Sequence, residues 1–168
     1  MPGAATRKTT ARRSVDVFVE CPKGSRTKYE LDKATGRIRL DRVPYSSVHH
    51  PADYGFVTET MGGDGDPLDA LIVVEEPTFP GCIVPARPIG TLLMRDSKGP
   101  DEKIVGVPVG DPRFDTVREL TDLAPHWLRE IETFFSTYKT LEGEEVELKG
   151  WRGSRTAWSL IARSRSHE

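Results

Sequence analysis

The chain has 168 residues, 36% hydrophobic and 30% charged, with a formal net charge of −2, a balance that fits one polar globular domain with a sizeable core. No apolar run is long enough to span a bilayer and no apolar segment follows the N-terminus, which argues against a membrane protein and a secretory leader. The first 14 residues hold Arg7, Lys8, Arg12 and Arg13 and no acid, so the rest carries a net charge of −6; an acidic body argues against a nucleic-acid binder, whose footprint is basic.

Residues 1–14, basic and rich in Ser and Thr, read as a disordered tail. Val15 to Glu20 then alternates, with Val15, Val17 and Val19 on one face, and predicts a strand. Cys21 follows; it and Cys82 lack zinc-ligand or redox spacing and read as free thiols of a reducing cytosol. Thr27 to Leu31 predicts a second strand with Lys28 and Glu30 on one face, since the side-chain period is two. Thr35 and Gly36 read as a tight turn. Arg37 to Arg42 alternates again and puts Arg42 on the face of Ile38 and Leu40, an odd place for an arginine unless the strand has simply ended. Pro44 to Asp53 reads as a loop.

Next comes DGDPLD, Asp64 to Asp69. Three unpaired carboxylates this close repel one another and call for a cation. Hard divalent ions such as magnesium take oxygen ligands of this kind and commonly hold substrate phosphates as well. A bland acidic turn shares the composition. An EF-hand calcium loop does not fit, because Leu68 and Asp69 stand where a ligand and a Gly are required.

Leu68 to Val74 is a continuous apolar run and predicts a buried strand. Pro77 to Pro88 carries four prolines and leads into a strand from Thr91 to Met94. Asp96 to Lys103 reads as a Gly/Pro turn before a strand from Ile104 to Val109. Short strands with this punctuation suggest a small barrel. After Asp111 the period changes. Leu128, Ile131, Phe134, Phe135 and Tyr138 recur at helical spacing, with Pro125 suited to the first turn. Trp151 to Ala162 predicts a second helix, and 164–168 a frayed end. The domain expected is therefore 15–163, an α+β barrel with helices.

A second acidic group, Asp96 and Asp101, precedes Lys103. Other candidates for holding anions are Lys28, Arg42, Lys139, Tyr54 and Tyr138. Carboxylates interleaved with cations suit hydrolysis of a phosphoanhydride: metals activate a water, and Lys and Arg stabilise charge on the phosphates.

At these residues the chain resembles the soluble family I inorganic pyrophosphatases of the small bacterial type. The likeness rests on DGDPLDA (64–70), ECPKGSRTKYELD (20–32), TGRIRLDR (35–42), PADYGF (51–56), PGCIVPARPIG (80–90), DEKIVGVP (101–108), FFSTYK (134–139) and GW (150–151). It implies an OB-like closed five-stranded β-barrel with two flanking C-terminal helices. It implies Mg2+-dependent hydrolysis of pyrophosphate to two phosphates by a two-metal-activated water, several ions per site. Asp64, Asp69, Asp96, Asp101, Glu20 and Glu30 would serve the metals, the two glutamates largely through water. Asp66 would accept the proton, and Lys28, Arg42, Tyr54, Lys103, Tyr138 and Lys139 would contact the phosphates. A cytoplasmic homohexamer, a dimer of trimers, is the implied assembly. The chain departs from the family pattern at Cys21, where an aliphatic residue is usual, and at His50, where an aromatic is expected.

Overall fold

A computed structural model describes residues 14–165. The expected basic tail lies outside the described residues except for Ser14, as does the expected frayed end except for Ser164 and Arg165. Those two are held: the Ser164 carbonyl accepts from the Met61 N–H at 2.6 Å, and Arg165 bridges to Thr60.

Among the described residues, eight strands and two α-helices make the fold: β1 Val15–Cys21, β2 Lys28–Asp32, β3 Arg37–Arg42, β4 Asp53–Val57, β5 Asp69–Ile72, β6 Ile83–Asp96, β7 Gly99–Pro108, α1 Pro125–Thr137, β8 Glu147–Gly153 and α2 Ser154–Ser164. Five strands form a ring. In turn, β1 pairs with β4, β4 with β5, β5 with β7, β7 with β6, and β6 back with β1. Only β5–β7 is parallel. This is the expected five-stranded barrel, with β8 added along the second half of β6 and the hairpin β2–β3 standing apart as its own two-stranded sheet.

The ring buries residues on both faces, which explains the unbroken apolar run of β5. Ala70 and Ile72 join Val15, Val17, Val19 and Ile104 in one cluster, capped by Ala157, Leu160 and Ile161 of α2. Leu71 points the other way, with Val105 and Val107, into a cluster completed by Ile131, Phe134 and Phe135 of α1. The alternation of side chains by twos makes this division. Pro125 opens α1 at its first turn, and the Tyr138 N–H closes it on the Phe134 carbonyl, so Tyr138 and Lys139 leave the helix together.

Several elements differ from the sequence expectation. β4 follows directly on what reads as loop; its Gly55 and flanking polar residues hide the strand pattern. β6 begins at Ile83, inside the proline-rich stretch: Pro85 lies opposite Asp16 on β1, and Pro88 sits at a bulge, where a missing N–H is tolerated. The expected turn from Asp96 to Lys103 shrinks to Ser97 and Lys98, because Asp96 already pairs with Gly99, whose φ is +115°. The second helix starts at Ser154 instead of Trp151. Trp151 belongs to β8 opposite Leu92, and its indole N–H donates to Glu132 of α1 at 2.6 Å. The Glu119 carboxylate instead caps α2, accepting from the Ser154 N–H at 3.0 Å. Ile38 and Leu40 do not reach the core; Leu40 is exposed, because the hairpin stands off the ring.

Candidate active site

The two-residue turn between β6 and β7 sets the centre of the site. It places Asp101 and Lys103 two apart on β7, hence on one face. β5 runs parallel beside β7 with Ala70 opposite Ile104, which brings Asp69 beside Lys103. The ammonium then has three neighbours: Asp69 Oδ2 at 2.6 Å, Asp101 Oδ2 at 2.8 Å and the Tyr54 hydroxyl at 2.9 Å. An ammonium has three donors, and all three are used. Lys103 is buried and also lies over the rings of Tyr54 and Phe135, at 5.3 and 5.6 Å from their centroids. Burial opposes its charge, but the Tyr54, Asp69 and Asp101 oxygens outweigh that and hold its pKa well above the ordinary lysine value. Burial in turn raises Asp101, with the Lys103 ammonium opposing it.

A cavity of about 670 Å³ opens over this centre. Asp64, Asp66, Asp69, Asp96 and Asp101 line it, together with Lys28, Arg42, Tyr54, Lys103, Tyr138 and Lys139. All the acids and cations singled out in the sequence except two thus meet on one surface, carried by β2, β3, β4, the β4–β5 loop, β5, the β6–β7 hairpin and the exit of α1. Glu20 and Glu30 are not on it. Glu30 lines an adjoining hollow with Asp66 and Asp41. Glu20 accepts from the Leu31 N–H at 2.8 Å. Burial lifts its pKa to about 7 against that hydrogen bond, with a further push from Asp69 and Glu30.

Sequence reasoning missed three partner acids, Asp41, Glu142 and Glu144, though not Asp96. Lys28 pairs with Asp41 at 3.1 Å, Lys139 with Glu144 at 3.3 Å and Asp96 at 4.0 Å, and Arg42 with Glu142. Asp41 sits next to Arg42 on β3 and was legible as a charge on a strand. Glu142 and Glu144 follow the helix in an unpatterned stretch, where only the fold reveals a role.

His50 fills the aromatic position behind Tyr54. Its ring lies 6.0 Å from Tyr54 and 4.9 Å from Phe134, and Nδ1 is 2.7 Å from the Ser25 carbonyl. Burial lowers its pKa below the ordinary 6.5 despite that hydrogen bond. The folded chain therefore keeps His50 neutral at a pH where the unfolded chain protonates it, and stability falls as pH drops below 6.5. Thermal melts at about pH 7.5 and about pH 5.5 should show a larger acid-induced drop for the native sequence than for His50→Phe. Equal drops would remove His50 as a contributor. Cys21 is buried, its thiol pushed to about 11 by burial, so it is a packed and unreactive thiol.

The carboxylates supply only hard oxygen donors, and two of them, Asp69 and Asp101, converge on a single cationic nitrogen. That donor set fits a hard divalent cation. Among the described residues no three such side chains already surround one point.

Known proteins resemble this chain over most of its length. The sequence model of the family described as inorganic pyrophosphatase matches residues 17–168. The inorganic pyrophosphatase of Geobacillus stearothermophilus is 50% identical over 147 residues, covering 88% of this chain and 89% of its own. That of Methanosarcina acetivorans is 47% identical over 157 residues, 94% of each chain. The crystal structure of the Thermus thermophilus inorganic pyrophosphatase superposes with a TM-score of 0.88 at 38% identity, over 98% of this chain and 94% of that one.

Proposed function

The chain belongs to the inorganic pyrophosphatase family and is a phosphoanhydride hydrolase acting on inorganic pyrophosphate; from that premise we propose that it works with Mg2+ and with the residues gathered at the cavity. The observation that carries the reading is the meeting of five aspartates and five phosphate-binding candidates around the buried Lys103 centre. Asp64, Asp69, Asp96 and Asp101 would hold the cations, with Glu20 and Glu30 serving them largely through water. Bound there, such ions neutralise phosphate oxygens and make a water acidic enough to attack at neutral pH.

The chain's own residues do the rest. Asp66, exposed in the cavity and with a side chain that hydrogen-bonds to none of the described residues, takes the proton from the attacking water. Lys28, Arg42 and Lys139 grip phosphate oxygens, and the Tyr54 and Tyr138 hydroxyls orient them. Lys103 stabilises charge that builds on the leaving phosphate. Residues 15–163 form the proposed single catalytic domain. A homohexamer is the proposed assembly; Leu40, Val43, Tyr45, Phe79 and Leu141 are exposed apolar side chains of the kind subunit contacts cover. The two free thiols suit the cytoplasm. Among the described residues no helix is long and apolar enough to cross a membrane.

Phosphate release from pyrophosphate, measured with magnesium, with EDTA and beside ATP, tests the proposal. The expected result is fast release from pyrophosphate, abolished by EDTA and restored by excess magnesium, with ATP a poor substrate. No release from folded, magnesium-supplied protein would overturn it, and full activity in EDTA would remove the metal.

A further inference from the structure

Among the described residues, the Arg42–Glu142 pair differs from the other ion pairs of the cavity in leaving a buried carboxylate oxygen unpaired. Lys28 and its partner Asp41 are both substantially exposed, Glu144, one partner of Lys139, is 45% exposed, and its other partner Asp96, 11% exposed, has no such orphaned oxygen. Glu142 is only 11% exposed, while Arg42 keeps 34%. One Glu142 oxygen accepts from the Arg42 guanidinium; the other, Oε2, is buried with no hydrogen-bond partner among the described residues. Among the described residues Glu142 forms its ion pair with Arg42 alone. The carboxylate lies on the 3₁₀ turn Thr140–Glu142, directly after Lys139, and meets the cavity-lining Arg42 without lining the cavity itself.

We infer that Glu142 is a positioning residue that competes with phosphate for Arg42 and thereby speeds product release. The inference rests on the proposed reading that Arg42 binds phosphate. When phosphate draws the guanidinium fork away, Glu142 stays buried with neither oxygen paired, which is costly for an ionised carboxylate. That cost weakens phosphate binding and is recovered when phosphate leaves and Arg42 returns. A hydrolase that makes two phosphates at one site gains nothing from holding them as tightly as its transition state. A static bracket would act oppositely: removing Glu142 would loosen Arg42 and weaken phosphate binding.

The sign of one measurement separates these roles. Inorganic phosphate is titrated calorimetrically into the full chain with magnesium present, for the native sequence, Glu142→Gln, Arg42→Gln and the double variant. Glu142→Gln should bind phosphate about tenfold more tightly and show a lower KM for pyrophosphate. Arg42→Gln should bind it about tenfold more weakly. In the Arg42→Gln background the Glu142 change should have no effect, since the competition runs through Arg42. Unchanged or weaker binding in Glu142→Gln, with Arg42→Gln weakened, overturns the inference alone. Native affinity in Arg42→Gln overturns both the inference and the role of Arg42. Should Glu142→Gln fail to fold, Glu142→Asp retains the test: its shorter side chain stretches the pair and should also tighten binding, by a smaller factor.

Discussion

Replacing Asp66 with Asn is expected to lower kcat for pyrophosphate by about 10²–10⁴-fold while leaving the fold intact. The amide has the size of the carboxylate and can still accept a hydrogen bond, but it cannot take a proton at neutral pH. Fold and site separate cleanly at this residue. Its backbone is engaged: the N–H donates to Asp64 Oδ1 at 3.0 Å, and the carbonyl accepts from the Gly62 N–H at 2.7 Å. Its side chain is exposed and lines both the main cavity and the adjoining hollow. The thermal midpoint should therefore stay near that of the native chain, with KM changing far less than kcat. Initial rates at saturating magnesium, paired with a thermal melt, check this. Near-native turnover in a folded variant would remove Asp66 as the proton acceptor and turn attention to another carboxylate of the cavity.

Gly55→Ala is expected to have the largest effect on stability. A Cβ at this position would lie 1.8 Å from the Phe18 carbonyl oxygen and 3.0 Å from the Val19 Cα. Both are backbone atoms of β1, so no side-chain rotation relieves the clash. Gly55 pairs with Val19 on one side and Ala70 on the other, so the methyl forces apart two neighbours in the ring. Overpacking of this kind costs about 3 kcal/mol or more, which lowers the thermal midpoint by roughly 10 °C in a chain of this size. Tyr54 precedes Gly55 on the same strand and its hydroxyl accepts from Lys103, so turnover should fall with stability. A midpoint within about 2 °C of the native value would show that β1 and β4 can separate at little cost.

The sequence elements that proved legible share a physical cause. Val15 to Val19, Leu68 to Val74 and the stripe from Leu128 to Tyr138 announce themselves because burial imposes a period of two, none or 3.6 on apolar residues. Elements that are amphipathic in a less regular way escape that signal. β4 carries a buried Asp53, which accepts from the Lys23 N–H and from both the N–H and the hydroxyl of Thr78, and a Gly that only a close strand approach explains. β8 is half-exposed, interrupted by Gly150 and ended by Gly153, so the helical pattern of the sequence extends back over Trp151.

The same division runs through the site. The residue types alone pointed to phosphate chemistry with hard cations, beside the plainer reading of an acidic turn. Clustered aspartates repel one another and need positive charge, and that constraint is local, written within six residues at Asp64 to Asp69. The tertiary structure decided which charges meet. Lys103 reaches Asp69 only because β5 lies parallel to β7, and Arg42 reaches Glu142 across a hundred residues because the β2–β3 hairpin faces the exit of α1. Pairings of that kind depend on strand order and closure of the ring. Those are set by the sum of many burial contacts, and no short stretch of sequence carries their record.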